Sequence, residues 1–593
     1  MKKRYLQKVL AVAMTGAMAL GVLAGCGSEP TSGSNESSSA QGSEEESSVE
    51  DAGSEESSAE DAGDGESSAE ESSGASGAAG IDGWEPFADR VTLKIPVYDR
   101  GDSGNGCSDV VNNYWTKWVQ DNFGEKYNID VQYVAITRTA VMNDYAMLAA
   151  GQDLPTVCME YDYDKLATWQ ADGYLQPYDV EQFKTIAPTY WQTMVDNGND
   201  AYTKLAGEDY LMLGYRPYGN STYTWVTWYR KDWMKEAGFE EYPKTNTELL
   251  ELYAKLVENG HEYPLSGSKV AGAGVDQNYP YRDYPQDELT WATMGDYQIP
   301  ALPSEAQKRF LKWENTLYNE GYKNPEYYLR EASEAEADFI NGKAFTWSGY
   351  VSSTMTQLNS FYENFPDAEL GVIVCPDTFV QDETWGSSNA YRPGTNFGMM
   401  IALSNNATED EAKAAMMYLE WLAQEENLFT MTWGEEGVNF NYDENGNPVA
   451  VGDQSGLEQQ QGHNNNVDYW CVVTAIKTLG SIEKDIAAIN PQGLPQDFYD
   501  ELLANYNGQV AIWNEGYANS DCLFAVSLDS VAEYGNTLYD LYAEYRDKLT
   551  MCAPEEFDAL YEELSQNYLD QGYQEVIDER QAAFENGQTT KLQ

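Results

Sequence analysis

Strand-like and helix-like segments alternate early in the folded part of the chain, and this alternation limits the architectures open to it. Apolar runs typical of buried strands are separated by stretches with aromatic and apolar residues at helical spacing. In order, they are strand 91–98, helix 111–123, strand 129–134, helix 140–150 and strand 154–159. A β-α-β-α-β order predicts an α/β fold in which helices cover the faces of a sheet.

Length and charge narrow the range of functions. With 593 residues, 42% of them hydrophobic, the chain is too long for one small domain, and two lobes are expected. Its net charge of -63 argues against nucleic acid and against direct binding to anionic lipid headgroups. A neutral ligand suffers no such repulsion, and acidic sugars are disfavoured unless an arginine such as Arg100 or Arg392 offsets the charge locally.

Histidine and cysteine usage gives no support for a metal centre or a cofactor. The two histidines, His261 and His463, exclude a multi-histidine metal site and leave few ways to build a Ser-His-Asp or Cys-His catalytic unit. The seven cysteines form no Cys-x-x-Cys pair, so disulfides cannot be inferred. We therefore predict no catalytic residues, no metal and no cofactor.

The N-terminus predicts export. Four cations within residues 1–8 precede an uncharged, largely apolar run that ends in Leu23-Ala24-Gly25-Cys26. This resembles a bacterial lipoprotein signal peptide over residues 1–25, with Cys26 as the lipidated first residue of the mature protein. A palmitate-type diacyl anchor would hold the protein on the outer face of the cell membrane. A plain transmembrane anchor is the alternative, since the uncharged run is long enough to span.

Residues 26–80 predict a disordered tether behind the lipidated cysteine. Residues 27–80 contain Ser, Gly, Ala and 15 acidic residues but no Lys or Arg. Such a composition cannot bury enough apolar surface to offset the entropy of ordering. With this tract and the four N-terminal cations set aside, residues 81–593 still carry a charge of about -52, so the body itself is acidic.

Four short motifs occur in order along the body. They are AAGQDLPTV at 149–157, WYRKDWM at 228–234, FINGKA at 339–344 and TWGEEGVNF at 432–440. Behind the Leu-Ala-Gly-Cys sequence, they resemble extracellular solute-binding protein family 1, the sugar-type binding proteins of ABC importers, in its large-lobed subgroup. Thr156 stands where the family often has Asp and Phe440 where it often has Tyr, so the resemblance does not carry over a specificity.

The resemblance implies a two-lobed, type II periplasmic-binding-protein-like fold whose lobes are joined by a hinge. Lobe 1 would span about 88–218 and 370–430, and lobe 2 about 219–369 and 431–593. As in the family, the protein would be a monomer without enzymatic activity. It would close on a solute, for which an oligosaccharide is expected, and deliver it to the permease subunits of an ABC importer.

Candidate ligand contacts follow from the chemistry of sugars, whose apolar C–H faces suit aromatic rings and whose hydroxyls suit Asp, Asn, Gln and Arg. We select such residues at strand ends and in loops rich in Gly and Asn, where core packing is less expected than for Trp115 and Trp118. The candidates are Asp99, Arg100, Tyr161, Asp162, Asn220, Tyr223, Trp225, Trp347, Tyr350, Trp385, Arg392 and Asn396. Asp99 and Asp162 could equally cap helices.

Three other functions stay open at this point. A secreted glycoside hydrolase needs two carboxylates across a cleft, and an acidic chain contains many such pairs by chance. A glycan-binding surface or sensor protein would bind without transport. A calcium-binding protein is suggested only by residues 443–447, where Pro448 stands at a position that needs Gly and Gln454 at one that needs Glu.

Overall fold

The structure, a computed structural model, describes most of the body of the chain. The described residues are 81, 83–269, 288–295, 299–351, 355–387, 393–451, 454–489, 496–517 and 522–591. The predicted signal peptide, Cys26, the predicted tether and Arg392 lie outside them. Ala78–Gln593 form one compact unit.

Sixteen strands and twenty α-helices occur in the described ranges. The strands are β1 Val91–Asp99, β2 Ile129–Thr137, β3 Val157–Glu160, β4 Lys204–Leu205, β5 Glu208–Asp209, β6 Leu211–Tyr215, β7 Trp225–Arg230, β8 Thr346–Tyr350, β9 Leu370–Val372, β10 Gln381–Asp382, β11 Gly386–Ser387, β12 Phe397–Leu403, β13 Phe440–Tyr442, β14 Pro448–Ala450, β15 Cys522–Phe524 and β16 Thr589–Lys591. The helices are α1 Tyr114–Val119, α2 Glu125–Tyr127, α3 Val141–Ala150, α4 Tyr163–Ala171, α5 Val180–Ile186, α6 Pro188–Asp196, α7 Lys231–Glu236, α8 Asn246–Glu258, α9 Glu288–Met294, α10 Glu305–Asn319, α11 Ala332–Ile340, α12 Met355–Asn364, α13 Glu409–Ala423, α14 Glu425–Trp433, α15 Asp468–Cys471, α16 Ile482–Ile489, α17 Gln496–Asn514, α18 Asp529–Met551, α19 Phe557–Tyr568 and α20 Gln574–Glu585.

Three groups of paired strands position the rest of the body. β1 and β2 are parallel, as expected for strands joined by a helical connection. β12 lies between β3 and β6, and β7 lies between β8 and β9, all of these pairs being antiparallel. All seven residues of β12 are buried, which explains its uninterrupted apolar sequence. The α/β fold class and the first three strands are confirmed, although the helix predicted at 111–123 is interrupted by a π-helical turn at Gln120–Gly124.

Apolar residues gather in three main cores. Core A contains β1–β3, β6 and β12 with α13, and it also holds residues 469–473. Core B is mostly helical and draws on α8, α10, α18 and α19. Core C lies under β7–β9 with α12 and α17. Trp115 is fully buried in core A and Trp118 packs against it, so both are core residues as predicted.

Helix boundaries follow local sequence signals. Thr245 accepts a hydrogen bond from the Glu248 N–H and the Glu248 side chain accepts one from the Thr245 N–H, which forms a capping box at the start of α8. Gly342 follows α11 with a φ of 68°, a conformation that favours glycine after a helix. Backbone geometry therefore explains the residue types at the start of α8 and at the end of α11.

The lobe boundaries remain a prediction. The cores to which two segments belong are relevant to where those boundaries lie. Residues 370–372 pair with β7 and contribute to core C, whereas residues 469–473 belong to core A. Residues 440–450 form a hairpin, in which Asp443 Oδ1 accepts the N–H groups of Asn445 and Asn447 at 2.9 and 2.7 Å. Within the described ranges, no helix is long and apolar enough to cross a membrane.

We predict that a buried charge network stabilises core B. Glu314 accepts hydrogen bonds from Lys323 and Arg546, and the carboxylate is only 6% exposed. Burial acts to raise the pKa of Glu314, but the two cations hold it below its ordinary value. Glu314→Gln would leave two buried cations uncompensated, so it should lower the free energy of unfolding by about 3–5 kcal/mol in urea titrations near neutral pH.

The exposed pair of Lys184 and Glu181 provides the control, since Glu181 is 82% exposed. Glu181→Gln should change the free energy of unfolding by less than about 1 kcal/mol. The contribution of Glu314 to the free energy of unfolding should also decrease as pH falls through its folded-state pKa. A carboxyl group with a lowered pKa stabilises the folded protein only when it is ionised. Equal effects of the two substitutions would contradict this account.

Candidate functional site

The chain passes between core A and cores B and C through segments that are tied together by main-chain hydrogen bonds. The Tyr215 N–H donates to the Val473 carbonyl and the Ala475 N–H donates to the Tyr215 carbonyl, both at 2.9 Å. The Arg216 N–H donates to the Asn396 carbonyl, also at 2.9 Å. We call residues 215–224, 393–397 and 473–478 the crossover. Sites for small ligands occur preferentially at the interfaces between domains.

Three predicted residues lie in the crossover. Asn220 and Asn396 are half-buried there. A Cβ atom on Gly219 would come within 2.6 Å of the Thr395 carbonyl oxygen, so glycine permits the close approach of two segments. Tyr223 is only 2% exposed, and its ring packs edge-to-face against Tyr218 at 5.7 Å in core C. Tyr223 thus has no open ring face in this structure.

Two predicted aromatic residues meet where the crossover enters β7. Trp225 and Tyr350 are direct partners on β7 and β8, and their ring centroids are 4.7 Å apart in an edge-to-face arrangement. Tyr350 is 37% exposed and Trp225 is half-buried. This pair presents aromatic surface to solvent, which suits the C–H face of a sugar ring.

Trp347 and Trp385 are placed differently. Alternate residues of a strand face opposite sides, so Trp347 lies on the other face of β8 from Tyr350 and packs against Phe339 at 5.9 Å in core C. Trp385 is 8% exposed and packs against Trp313 in core B, with ring centroids 5.1 Å apart. The structure does not bring these two rings together with Trp225 and Tyr350.

At the end of β1, Arg100 is neutralised by a carboxylate that comes from far along the chain. Its guanidinium donates to Asp468 at 2.9 and 3.1 Å, a two-pronged pairing, and Asp468 is 3% exposed. The Arg100 N–H also donates to Asn464 Oδ1 at 3.0 Å, and the Tyr98 N–H donates to Asp468 at 2.8 Å. The Arg100 charge therefore serves to hold α15 against β1.

The remaining predicted residues make local contacts at the ends of β1 and β3. Asp162 caps α4 by accepting the Asp164 N–H at 3.1 Å, and Asp99 accepts the Gly101 N–H at 2.8 Å. The Tyr161 ring lies 6.3 Å from that of Tyr98, between centroids. These contacts account for both aspartates as turn and cap residues.

A cavity of about 680 Å³ opens beside Trp225. One wall is the outer face of β7 and β8, where the Thr227 and Ser348 hydroxyls are hydrogen-bonded at 2.8 Å. Its other walls include aromatic rings and polar groups from Tyr229, Tyr242, Tyr253, Trp313, Lys231, Asn505 and Gln509, and the carboxylate-bearing residues Glu240, Glu241, Glu314, Asp377 and Glu501. Among the predicted residues that the structure describes, Trp225 alone lines this cavity. A mixed aromatic and polar lining of this size is typical of sites for small ligands.

Sequence reasoning missed the residues that hold the end of β1. Asn464 and Asp468 are 2% and 3% exposed, and both act on Arg100 across more than 360 positions of sequence. A signal was present, because the polar run His463-Asn464-Asn465-Asn466 stands three residues before the apolar Trp470-Cys471. Lys477 was also missed, and its ammonium lies 4.6 Å from the centroid of the Trp433 ring.

Across the described ranges, no group of three or more His, Cys, Asp or Glu side chains is placed to hold a metal ion. None of the six described cysteines forms a disulfide bond. The lining of the cavity offers ring surfaces, hydroxyls, amides and carboxylates, which can exchange contacts with a polar ligand.

Comparisons with known proteins agree with this geometry. A curated relative, the polygalacturonan/rhamnogalacturonan-binding protein YtcQ of Bacillus subtilis (strain 168), is 22% identical over 223 residues, which is 36% of this chain and 42% of that protein. The match thus spans less than half of the relative's length.

Two solved structures share the fold. A solute-binding protein associated with an HMO-binding ABC transporter of Bifidobacterium longum infantis is 14% identical, with a TM-score of 0.53 over 84% of this chain and 99% of its own. The substrate-binding protein FusA of S. pneumoniae, in complex with kestose, is 13% identical, with a TM-score of 0.54 over the same shares. These likenesses confirm the type II solute-binding fold.

The profile of one protein family matches residues 109–429, which is more than half of the chain. That span contains three of the four motifs noted in the sequence and most of the crossover. The chain therefore belongs to the bacterial extracellular solute-binding proteins.

Proposed function

We propose that the protein captures an oligosaccharide outside the cytoplasm and delivers it to an ABC importer by closing around it. The carrying observation is the Trp225–Tyr350 ring pair, whose Trp225 also lines a cavity with the Thr227 and Ser348 hydroxyls in its wall. Rings cover the apolar faces of pyranose units, and the hydroxyl and amide groups of the lining can exchange hydrogen bonds with sugar hydroxyls. The printed names of the relatives, which bind carbohydrates, support the same ligand class.

The remaining predictions complete this proposal. Cys26 carries the lipid that anchors the protein to the outer face of the membrane, and residues 26–80 act as a tether. The permease subunits of the importer recognise the closed form, and the protein acts as a monomer. Family membership supports a position outside the cytoplasm.

Two carboxylates near the strand ends are unsuited to a role in hydrolysis. Glu160 is fully buried and accepts hydrogen bonds from the Tyr98 hydroxyl at 3.0 Å and from the Tyr161 N–H at 2.8 Å. Asp468 is taken up by Arg100. A glycosidase needs one carboxyl ready to give a proton and another facing the sugar, and these two are committed to structural partners.

A thermal-stability screen tests the capture function. The purified protein is heated with a panel of neutral and acidic oligosaccharides, and each mixture is then analysed for breakdown products. At 100 times its Kd, a sugar that binds only the folded state should add roughly 2.7 kcal/mol of stability. We expect stabilisation by an intact sugar. Breakdown products would favour a hydrolase, and a panel without any shift would contradict sugar capture.

The ring pair should contribute strongly to binding. Trp225→Ala removes an aromatic surface whose burial is worth about 1.5–3 kcal/mol, so affinity for the stabilising sugar should fall about 10- to 100-fold in calorimetry. Tyr442→Ala is a matched control, because Tyr442 is 48% exposed on the β13 hairpin. Similar losses in both variants, or none in Trp225→Ala, would contradict this assignment.

The cavity should be part of the ligand site. Ser348 is exposed on the floor of the cavity, so Ser348→Trp can fill the space without disturbing a core. We expect roughly tenfold or greater loss of affinity with an unchanged melting temperature. Ser348→Ala keeps the space and should bind nearly as well as the original protein, whereas full affinity in Ser348→Trp would place the sugar elsewhere.

A further inference from the structure

Helix α17 carries a polar stripe in the wall of the cavity. Glu501, Asn505 and Gln509 recur at every fourth position, so they lie on one face of the helix, and all three line the cavity. Asn505 and Gln509 are 4% and 3% exposed, respectively. Buried polar side chains are almost always hydrogen-bonded, so the partners of each residue indicate what it does.

Two members of the stripe satisfy the main chain at the edge of a sheet. Glu501 accepts the Val372 N–H at 2.7 Å, and Asn505 accepts the Cys375 N–H at 2.9 Å. Val372 belongs to β9, which is the edge strand beside β7, and a buried N–H group at such an edge needs a side-chain partner. These hydrogen bonds give Glu501 and Asn505 a structural role.

Gln509 reaches a different segment, the crossover. Its side-chain oxygen accepts the Ser221 hydroxyl at 2.7 Å and the Thr222 N–H at 2.9 Å. A main-chain N–H can only donate, so the bond from Thr222 fixes which end of the amide faces the crossover. Ser221 and Thr222 are buried outside the cavity lining, so Gln509 connects a turn of the crossover to the cavity wall.

The turn that Gln509 holds leads directly to Trp225. The Trp225 N–H donates to the Thr222 carbonyl at 2.9 Å. The Ser221 hydroxyl oxygen in turn accepts the Tyr223 N–H at 3.2 Å. A series of hydrogen bonds therefore runs from the Gln509 amide, through two residues of the crossover, to the first residue of β7.

Trp225 depends on this turn because it stands at the end of its strand. β9 pairs with residues 228–230 of β7, and the Ile373 N–H extends this pairing to the Thr227 carbonyl. Trp225 precedes these positions, so β8 supports it on one side and the turn takes the place of β9 on the other. A ring that is not held in place would have to be ordered by the ligand, which lowers affinity.

We propose that Gln509 is a positioning residue for the ligand: it fixes the turn at residues 221–224 and thereby holds Trp225 where its ring meets a sugar. This inference rests on the proposed capture function and assigns a further residue to its site. A site whose rings are ordered before binding loses less free energy when the ligand arrives. Gln509 therefore contributes to affinity although its side-chain oxygen is bonded to the crossover.

The test measures affinity by calorimetry for the oligosaccharide that most raises the melting temperature in the stability screen. Gln509→Met keeps the length of the side chain but removes the oxygen that accepts from Ser221 and Thr222. Affinity should fall about 3- to 10-fold, the loss expected when hydrogen bonds that order a ring are removed. Ser221→Ala removes one of the two bonds and should give a smaller loss of about two- to threefold.

Gln307→Met is a matched control on α10. Gln307 is 6% exposed and lies outside the cavity lining, and its side-chain oxygen accepts the Tyr542 hydroxyl at 2.7 Å. Both Gln→Met substitutions should lower the melting temperature, because each leaves a buried donor without its acceptor. The Gln307 substitution should leave affinity unchanged. Equal losses of affinity in the two variants would reveal a general effect of lost stability and would overturn the proposal.

A double variant tests whether Gln509 acts through Trp225. In a protein that already carries Trp225→Ala, Gln509→Met should weaken binding less than about twofold, since the ring to be positioned is absent. A residue that contacts the sugar directly, or that maintains the cavity as a whole, would give the same loss in both backgrounds. That result would contradict a positioning role.

The outcomes distinguish this inference from the function beneath it. Full affinity in Gln509→Met, together with a loss in Trp225→Ala, would overturn the positioning role and leave the ring pair as a sugar contact. Full affinity in Trp225→Ala would overturn the positioning role together with the ring-pair assignment. Failure of every oligosaccharide in the stability screen to bind would overturn sugar capture as well.

Discussion

The main-chain pairing around Tyr215 is the constraint on which the body depends. Three segments must pass between core A and cores B and C, and each exposes peptide groups that need partners. The bonds of Tyr215 to Val473 and Ala475, with that of Arg216 to Asn396, satisfy these groups by joining the segments to one another. Side chains on the crossover are thereby fixed relative to both sides, which is the requirement for a site that closes on its ligand.

Charge pairing compensates several buried cations of the body. In core B, Lys323 and Arg546 share the carboxylate of Glu314. At the end of β1, Arg100 and Asp468 form a pair that attaches a distant helix. Removal of one member of such a group leaves the others uncompensated, which is costly away from water.

Local patterns in the sequence were enough to predict the early strands, the α/β class and the family, because periodicity and short motifs are local properties. The partners of Arg100 could not be found this way, since Asn464 and Asp468 follow it by more than 360 positions. The packing of Trp347 against core C could have been predicted, because a strand over Thr346–Tyr350 places it on the opposite face from Tyr350. The burial of Trp385 could not have been predicted from local sequence, since its partner Trp313 is brought to it only by tertiary packing.

The central claim, capture of a solute by closure, is tested most directly by small-angle X-ray scattering of the Ala78–Gln593 unit. Scattering is recorded without sugar and with a saturating amount of the oligosaccharide that most raises the melting temperature. The account predicts a smaller radius of gyration in the bound protein, because hinge closure brings cores A and C together. An unchanged radius of gyration at saturation would contradict it and would describe a rigid binding protein instead.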